Sequence, residues 1–395
     1  MKTTFITALI VVLILGAVGT IAAAVIIFLN GRENTGGDTG EAYALAVFAP
    51  EDPLPAEPEH ASAPGPTPTP TPTPEPEPEA EEYIEWVCPN TVTILVSAAG
   101  DTTLGGDRRW AGYHAFMREF DESGGDHSIF LANVAHIFYE SDISILNLEG
   151  VLTDILYPHM DKEFVFRGPK HFAQILSSSH IDVVSIANNH TIDFFERGMR
   201  DTRAALTYEG ILYFGNEFNL ITEVNGIKVG LFGFRIWWDG ADNRNRITAA
   251  IEDLRSRGAQ LIIAYHHWGV ERENFPQPYQ IAIGRHTIRA GADLVLGAHP
   301  HVLQGIEEYQ GRFIVYSLAD FSFGGNAFPH DHDTMIFQQT FTFYNGVLLP
   351  DNDINIIPAF MSSVRYRNDF RPTVAEGEQA QRIMARIERY SEVLR

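Results

Sequence analysis

Five times along the chain an apolar run stops at a short polar loop that carries potential metal ligands. The loops are "AAGD" ending at Asp101, "NLEG" with Glu149, "ANNH" with Asn189 and His190, "YHHWG" with His266 and His267, and "GAHPH" with His299 and His301. Between these runs lie stretches of helical spacing, among them "HFAQILSSS", "RGMRDTRAALTYEG", "ITAAIEDLRSRG" and "YQIAIGRHTIRAG". Strands that alternate with helices pair in parallel, which predicts an α/β layered fold. In open α/β sheets ligands bind beyond the carboxyl ends of the strands. The five loops are therefore expected to converge at one edge.

Two hairpins add antiparallel pairs to this plan. "ITEVNGIKVGLFGF" turns at Asn225-Gly226 and "EEYQGRFIVYSLAD" turns at Gln310-Gly311. "DHSIFLANVAHIFYESD" reads as a helix with Ile129, Val134 and Ile137 on one face, and Arg382 to Leu394 as a closing helix. No internal repeat and no second shift of composition interrupts the remainder, so one domain is expected over residues 86–395.

The first 85 residues have a different character. Between Lys2 and Arg32 there is no charged residue, and Phe5 to Leu29 is long enough to cross a bilayer as a helix. The apolar run continues through "VIIFL" past the small residues "IAAA", which favours an uncleaved anchor over a signal peptide, whose apolar region is usually about 7–15 residues. Lys2 is matched by Arg32 across the span, so the positive-inside rule supports a cytoplasmic N-terminus only weakly. From residue 33 to 85 the chain has no lysine or arginine, and "PGPTPTPTPTPEPEPE" alternates proline with threonine or glutamate. Such a segment cannot bury enough apolar surface to fold and favours polyproline II, at about 3.1 Å per residue. The expected plan is a transmembrane anchor over 1–32, a Pro/Thr/Glu-rich stalk over 33–85, and a globular domain outside the cell membrane. Cys88 is the only cysteine, so no intrachain disulfide forms; an exported protein without disulfides suits a bacterial envelope. The formal charge of -23 makes nucleic acid an unsuitable partner, since its phosphates would be repelled.

A two-metal hydrolytic centre needs a bridging carboxylate, several imidazoles and room for a water between ions about 3.5–4 Å apart. The five loops offer Asp101, Glu149, Asn189, His190, His266, His267, His299 and His301, close to a complete donor set. Mixed nitrogen and oxygen donors suit Mn, Zn or Fe. A carboxylate directly after an apolar strand, as at Glu149, is costly to bury unpaired. His266 and His267 point to opposite faces if the strand persists, so one of them is expected to be a ligand. In an extended segment His299 and His301 would share a face, with Pro300 stiffening the link.

With these loops assembled, the chain resembles the CapA family of capsule and poly-γ-glutamate synthesis proteins, within the calcineurin-like metallophosphoesterase superfamily. The stretches that carry the resemblance are "GDTTLGGD", "NLEGVLTD", "ANNHTIDF", "HWGVE" and "GAHPHVLQGIEEYQGRFIVYSLADFSF", from about Thr93 to Phe323. The resemblance implies a two-sheet sandwich flanked by helices, with divalent transition metal ions at the loop edge. It implies Asp101, Glu149, Asn189, His267, His299 and His301 as metal ligands, with Glu149 in the bridging place. His190 would be the substrate-facing histidine that protonates the leaving group, Asp193 its orienting partner, and Glu271 an acceptor that holds a ligand histidine. Four positions depart from the family pattern: Thr103 stands where a histidine is usual, Ala319-Asp320 where Gly-Asn is frequent, and Phe195 where glycine is common.

The function implied is synthesis or attachment of an anionic surface polymer by a membrane-anchored metal-dependent hydrolase. The rival is a non-catalytic subunit of a membrane polymer synthase with a degenerate metal site. Thr103 favours the rival, while Asn189-His190 favours the enzyme, because a structural site needs no substrate-facing histidine. A cell-wall binding module on a stalk would explain the spacer but not the histidines.

Overall fold

The strand Leu261–Trp268 shows how the apolar runs are used. Leu261, Ile263 and Tyr265 pack into one core, while Ile262, Ala264 and Trp268 pack into another. A strand buried on both faces reads as a continuous apolar run because each face needs its own hydrophobic side chains. In the computed structural model, which describes residues 90–157, 159–350 and 353–395, this holds for the strands at the centre of two separate sheets.

The first sheet has nine strands. Its central strand is Thr91–Thr103, which pairs in parallel with Ile143–Leu148 on one side and antiparallel with Asp333–Tyr344 on the other. Val183–Ser185 and Leu212–Phe214 extend the parallel side, and Asp353–Phe360 extends the antiparallel side. The second sheet has seven strands, with Leu261–Trp268 between Ile227–Phe232 and Leu294–Ala298, all parallel. The hairpins expected at Asn225-Gly226 and Gln310-Gly311 are present. All four turn residues have positive φ, between 51° and 79°, as the tight turn matching strand twist requires.

Between the sheets lies one core, to which Ile94, Val96, Ile143 and Ile145 contribute from the first and Val229, Leu231, Ile263 and Leu296 from the second. The outer face of the first sheet is covered by Ala111–Glu122, Ala173–Ser177 and Phe195–Tyr208, and that of the second by Ala241–Ser256 and Pro278–Ala290. This is the expected mixed α/β arrangement of two sheets flanked by helices. The expected anchor and stalk, like the first residues assigned to the domain, lie outside the described residues. Among the described residues no helix is long and apolar enough to cross a membrane.

Two elements differ from expectation. The stretch read as one helix from Asp126 to Asp142 is a 3₁₀ turn, His127–Phe130, and a separate short helix, Ala135–Tyr139. Asp126 accepts from the Ser128 backbone N–H and fixes a tight turn there, while Phe130, Leu131 and Val134 are all buried, so core packing sets the path between the two pieces. The closing helix starts earlier than expected, at Gly377, and runs to Ser391.

Candidate metal centre

Alternation along each strand decides which ligand reaches the space between the sheet ends. After Ile143 and Ile145, the next inward position is Asn147; after Leu261, Ile263 and Tyr265, it is His267. His266 falls on the opposite face among Phe232, Phe234 and Trp268, with Nε2 3.2 Å from the Thr287 hydroxyl. One histidine of the pair therefore enters the site and the other belongs to the core.

The remaining sequence-derived residues arrive from neighbouring loops. Asp101 lies near the end of the central strand, and Glu149 follows Ile143–Leu148. Asn189 and His190 follow Val183–Ser185, and His299 and His301 follow Leu294–Ala298. Three overlapping groups of donor atoms result, the atoms within each lying within 4.8 Å of one another: Glu149 with His267 and His299; Glu271 with His299 and His301; Asp101 with His301 and Asp320. Asn189 joins the first group through its side-chain oxygen, 2.7 Å from His267 Nε2.

Sequence reasoning missed part of this set. Asp320 departs from the family pattern in sequence, yet Asp320–Phe323 pairs in parallel with the central strand and sets Asp320 directly opposite Asp101. The position taken by Thr103 does not face the donors as a ligand: its hydroxyl donates to the Glu149 backbone carbonyl at 2.7 Å. Asn147 donates through Nδ2 to Asp101 Oδ1 at 2.7 Å, and its signal was the inward parity of its strand. Glu271, expected to hold a histidine by hydrogen bonding, instead places a carboxylate oxygen among the donors.

The paired histidines require a correction. His299 has φ 98° and His301 φ 57°, so the segment around Pro300 is not extended. The left-handed backbone bends the chain at each histidine, and such conformations in non-glycine residues cluster at functional sites, where the surroundings hold them. Part of that hold is visible: the His299 backbone N–H donates to Asp101 Oδ2 at 2.9 Å, and His301 Nδ1 lies 2.7 Å from Asp320 Oδ1. Phe195 and Ala319, the other departures, also have positive φ, 55° and 66°. They occupy backbone shapes that glycine adopts without strain.

The electrostatics follow from burial. Burial drives the Glu149 carboxyl well above the ordinary range, and neighbouring Asp101 adds to the effect. Asp101 itself is pushed up to about 6 by burial, against the opposing pull of His301. His267 and His299 are held low by burial and by nearby imidazoles, His299 to about 3, which keeps them neutral. His301 behaves oppositely: burial disfavours its charge, but Asp320 and Glu149 outweigh it and raise its pKa well above the usual value.

Glu149 supplies the test of fit for a metal. It is fully buried, and neither carboxylate oxygen has a hydrogen-bond partner. His190 Nε2 and His267 Nε2 stand 3.8 and 3.7 Å from Oε1, too far for hydrogen bonds. Leaving a buried carboxylate without partners is expensive. A carboxylate surrounded by neutral imidazole, amide and carboxylate donors fits a divalent cation that would satisfy all of them at once.

Beside this set stands His190. Its Nδ1 is 2.7 Å from Asp193 Oδ2, and its ring stacks on Phe166 at 4.0 Å between centroids. Asp193 also accepts the Phe166 N–H at 2.6 Å and pairs with Lys162 at 2.5 Å. Lys162, unremarked in the sequence, donates in addition to the Asn189 carbonyl at 2.9 Å, so one ammonium ties the Asn189 loop to the Asp193 carboxylate.

The family model for the bacterial capsule synthesis protein PGA_cap matches residues 95–325, which contain all of these groups. The chain belongs to this family. It is 29% identical over 228 residues to the PGA biosynthesis protein CapA of Bacillus subtilis, covering 53% of this chain and 60% of that protein. To the capsule biosynthesis protein CapA of Bacillus anthracis it is 29% identical over 189 residues, covering 42% of this chain and 46% of that protein. A probable polyglutamine synthesis accessory protein of Mycobacterium tuberculosis is 26% identical over 215 residues, covering 46% and 55%. Each match thus spans less than two thirds of the relative's own length. The PGA_cap match ends at residue 325, before the strands Asp333–Tyr344 and Asp353–Phe360 and the helix Gly377–Ser391, which complete the first sheet and its surroundings.

Proposed function

We propose that this member of the PGA_cap family serves the synthesis or surface attachment of an anionic capsule polymer of the poly-γ-glutamate type, through a divalent-metal hydrolytic or transfer centre. The observation that carries the reading is the buried, unpartnered Glu149 carboxylate set among the donors of His267, His299, Asn189, Asp101 and Asp320. The names of the relatives, which refer to capsule and PGA biosynthesis, support the polymer.

Asp101, Asp320 and His301 would hold one ion, and Glu149, Asn189, His267 and His299 a second. Bound there, Mn, Zn or Fe ions supply Lewis acidity toward a phosphoryl or carbonyl oxygen and lower the pKa of water. The chain's own residues do the rest. Asp193 fixes the tautomer and orientation of His190 by accepting a hydrogen bond from its Nδ1–H, which directs Nε2 toward the donor groups. Burial lowers the His190 pKa although the Asp193 bond opposes this, so a proton held at Nε2 is readily given to a leaving group. Phe166 covers the imidazole face and excludes water from it.

The same reading places Phe5–Leu29 in the cell membrane as a single span, residues 33–85 as a stalk, and the domain from about residue 86 outside the cell, next to polymer-synthase membrane subunits. Its support is the length and composition of those segments.

Metal analysis of the purified protein, paired with restoration of surface polymer in a deletion strain, tests the proposal. Bound transition metal that is lost in Glu149→Ala, with polymer restored by the parent and not by His190→Ala, supports it. If His190→Ala restores polymer as fully as the parent while Glu149→Ala fails, the centre is structural and the non-catalytic synthase subunit becomes the better reading.

A further inference from the structure

We propose that Arg272 is a substrate-binding residue of the centre, whose guanidinium pairs with a free α-carboxylate of a γ-linked glutamyl chain lying in the cavity beside the metal-donor groups. This rests on the reading of that polymer as the substrate, and it names the side chain that tells it from an uncharged chain.

Arg272 sits on the loop between the strand Leu261–Trp268 and the helix Pro278–Ala290. That loop is tied down along its length. The Gly269 N–H donates to the Tyr279 hydroxyl at 2.7 Å, and the Arg272 N–H donates to the Pro300 carbonyl at 2.8 Å. Gln304 Nε2 donates to the Glu273 carbonyl at 2.7 Å, and Asn274 Nδ2 to the Leu303 carbonyl at 3.0 Å. Pro300 lies between the donors His299 and His301. Glu271, one residue before Arg272, places a carboxylate oxygen within 4.8 Å of donor nitrogens of both histidines. The Arg272 backbone is thus fixed to the same turn that presents the paired histidines. Its φ of 65° is left-handed, and non-glycine residues held in that shape cluster at functional sites. The side chain is exposed and borders the same cavity as His190, His301 and Asp320.

The charges lining this cavity of about 890 Å³ select the ligand. Arg382 is engaged by Asp333 at 2.6 Å through each of two nitrogens, and Arg386 is engaged by Asp331 and Asp333. Those carboxylates are therefore neutralised within the wall. Glu271 and Asp320 are metal donors, so bound cations offset their charge. Among the described residues, Arg272 is the cavity guanidinium whose side chain has no hydrogen bond or ion pair. With divalent ions bound, the cavity presents positive charge to a ligand, and Arg272 is the part of it that can grip a planar carboxylate through two parallel N–H bonds. A γ-linked glutamyl chain leaves an α-carboxylate on every residue, a few bonds from the γ-carbonyl. Pairing that carboxylate with Arg272 keeps the carbonyl of the same residue in the cavity that His190 lines.

The test uses the full chain, purified in detergent and loaded with Mn²⁺, and three probes: a γ-linked glutamate pentamer, the same pentamer with its α-carboxylates converted to carboxamides, and dimethyl phosphate. Calorimetric titration should show the parent binding the acidic pentamer more tightly than the carboxamide pentamer. Arg272→Ala should weaken the acidic pentamer by about tenfold to about a hundredfold and leave the carboxamide pentamer unchanged. Arg272→Lys, which keeps the charge but not the fork, should fall between parent and Arg272→Ala. Arg272→Gly suits the left-handed backbone without strain, so its Tm should equal or exceed the parent's while its affinity falls with that of Arg272→Ala. Metal content should match the parent's in all three variants, and its loss would assign Arg272 to upkeep of the centre and overturn the inference. Absence of pentamer binding by the parent, or a loss of affinity confined to dimethyl phosphate, also overturns it. Equal affinity of parent and Arg272→Ala for the acidic pentamer, in a parent that holds metal and restores surface polymer, defeats this inference alone. A metal-free parent defeats the reading beneath it.

Discussion

Asn189 Oδ1 and His267 Nε2 lie 2.7 Å apart, although 78 residues separate them in the chain. One follows a strand of the first sheet and the other ends a strand of the second, so their meeting measures how closely the two sheet edges are held. If both atoms serve one ion, Asn189→Ala and His267→Ala should each lower bound metal to less than half of the parent's, with the fold retained by circular dichroism. Elemental analysis after gel filtration reads this directly, and parental metal content in both variants contradicts the assignment.

His190 is held by Asp193 rather than by the donor cluster, which separates proton transfer from metal retention. His190→Ala should keep most of the metal and lose activity on a model phosphodiester by about 10²–10⁴-fold, the range of a positioned general acid. Equal loss of metal and activity in this variant would show that His190 is a ligand instead.

Protons and metal compete for the same carboxylates. In the metal-free protein Asp101 is raised by burial to about 6, from the ordinary aspartate value of 3.8. Its contribution to stability is therefore fully present below the lower value and is lost as pH rises through the upper one. His299, lowered by burial to about 3, acts in the opposite sense, its contribution being present above about 6.5 and lost as pH falls. Metal binding needs Asp101 and Glu149 ionised and His301 deprotonated, while His267 and His299 are already neutral, so acidification weakens the complex by protonating the carboxylates and His301. The rise in Tm on adding Mn²⁺ should shrink steadily from about pH 7.5 to about pH 5. A rise of constant size across that range, measured by differential scanning calorimetry, contradicts this.

Gly100 lets the central strand approach the Ala319 segment. A Cβ at Gly100 would stand 1.8 Å from the Ala319 carbonyl oxygen, and the Asp101 N–H donates to that same oxygen at 2.9 Å. Gly100→Ala should therefore force the strands apart, destabilise the protein by about 1–3 kcal/mol and separate Asp101 from Asp320. Urea denaturation together with metal analysis checks both consequences; a stable variant with full metal content refutes the argument.

The sequence by itself determined the strand–loop rhythm, the two tight hairpins and the loops that carry Asp101, Glu149, Asn189, His190, His267, His299 and His301. Those features are local: apolar runs, turn residues and side-chain parity act within a few residues of one another. Parity alone reduced His266 and His267 to one expected ligand and the family resemblance named His267; the neighbours on each side of the strand give the physical reason, since His266 packs among Phe232, Phe234 and Trp268. Asp320 became a donor only because its short strand pairs with the strand of Asp101, and no local pattern distinguishes it from a surface aspartate. The bent backbone at His299 and His301 was hidden for the same reason, since its supports, Asp101 and Asp320, lie far away in the chain. The route from Asp126 to Asp142 is not legible locally because helical spacing also describes a chain that turns twice to bury Phe130, Val134 and Ile137. Tertiary structure decided these points because contacts between distant segments can outweigh a local preference worth only a fraction of a kcal/mol per residue.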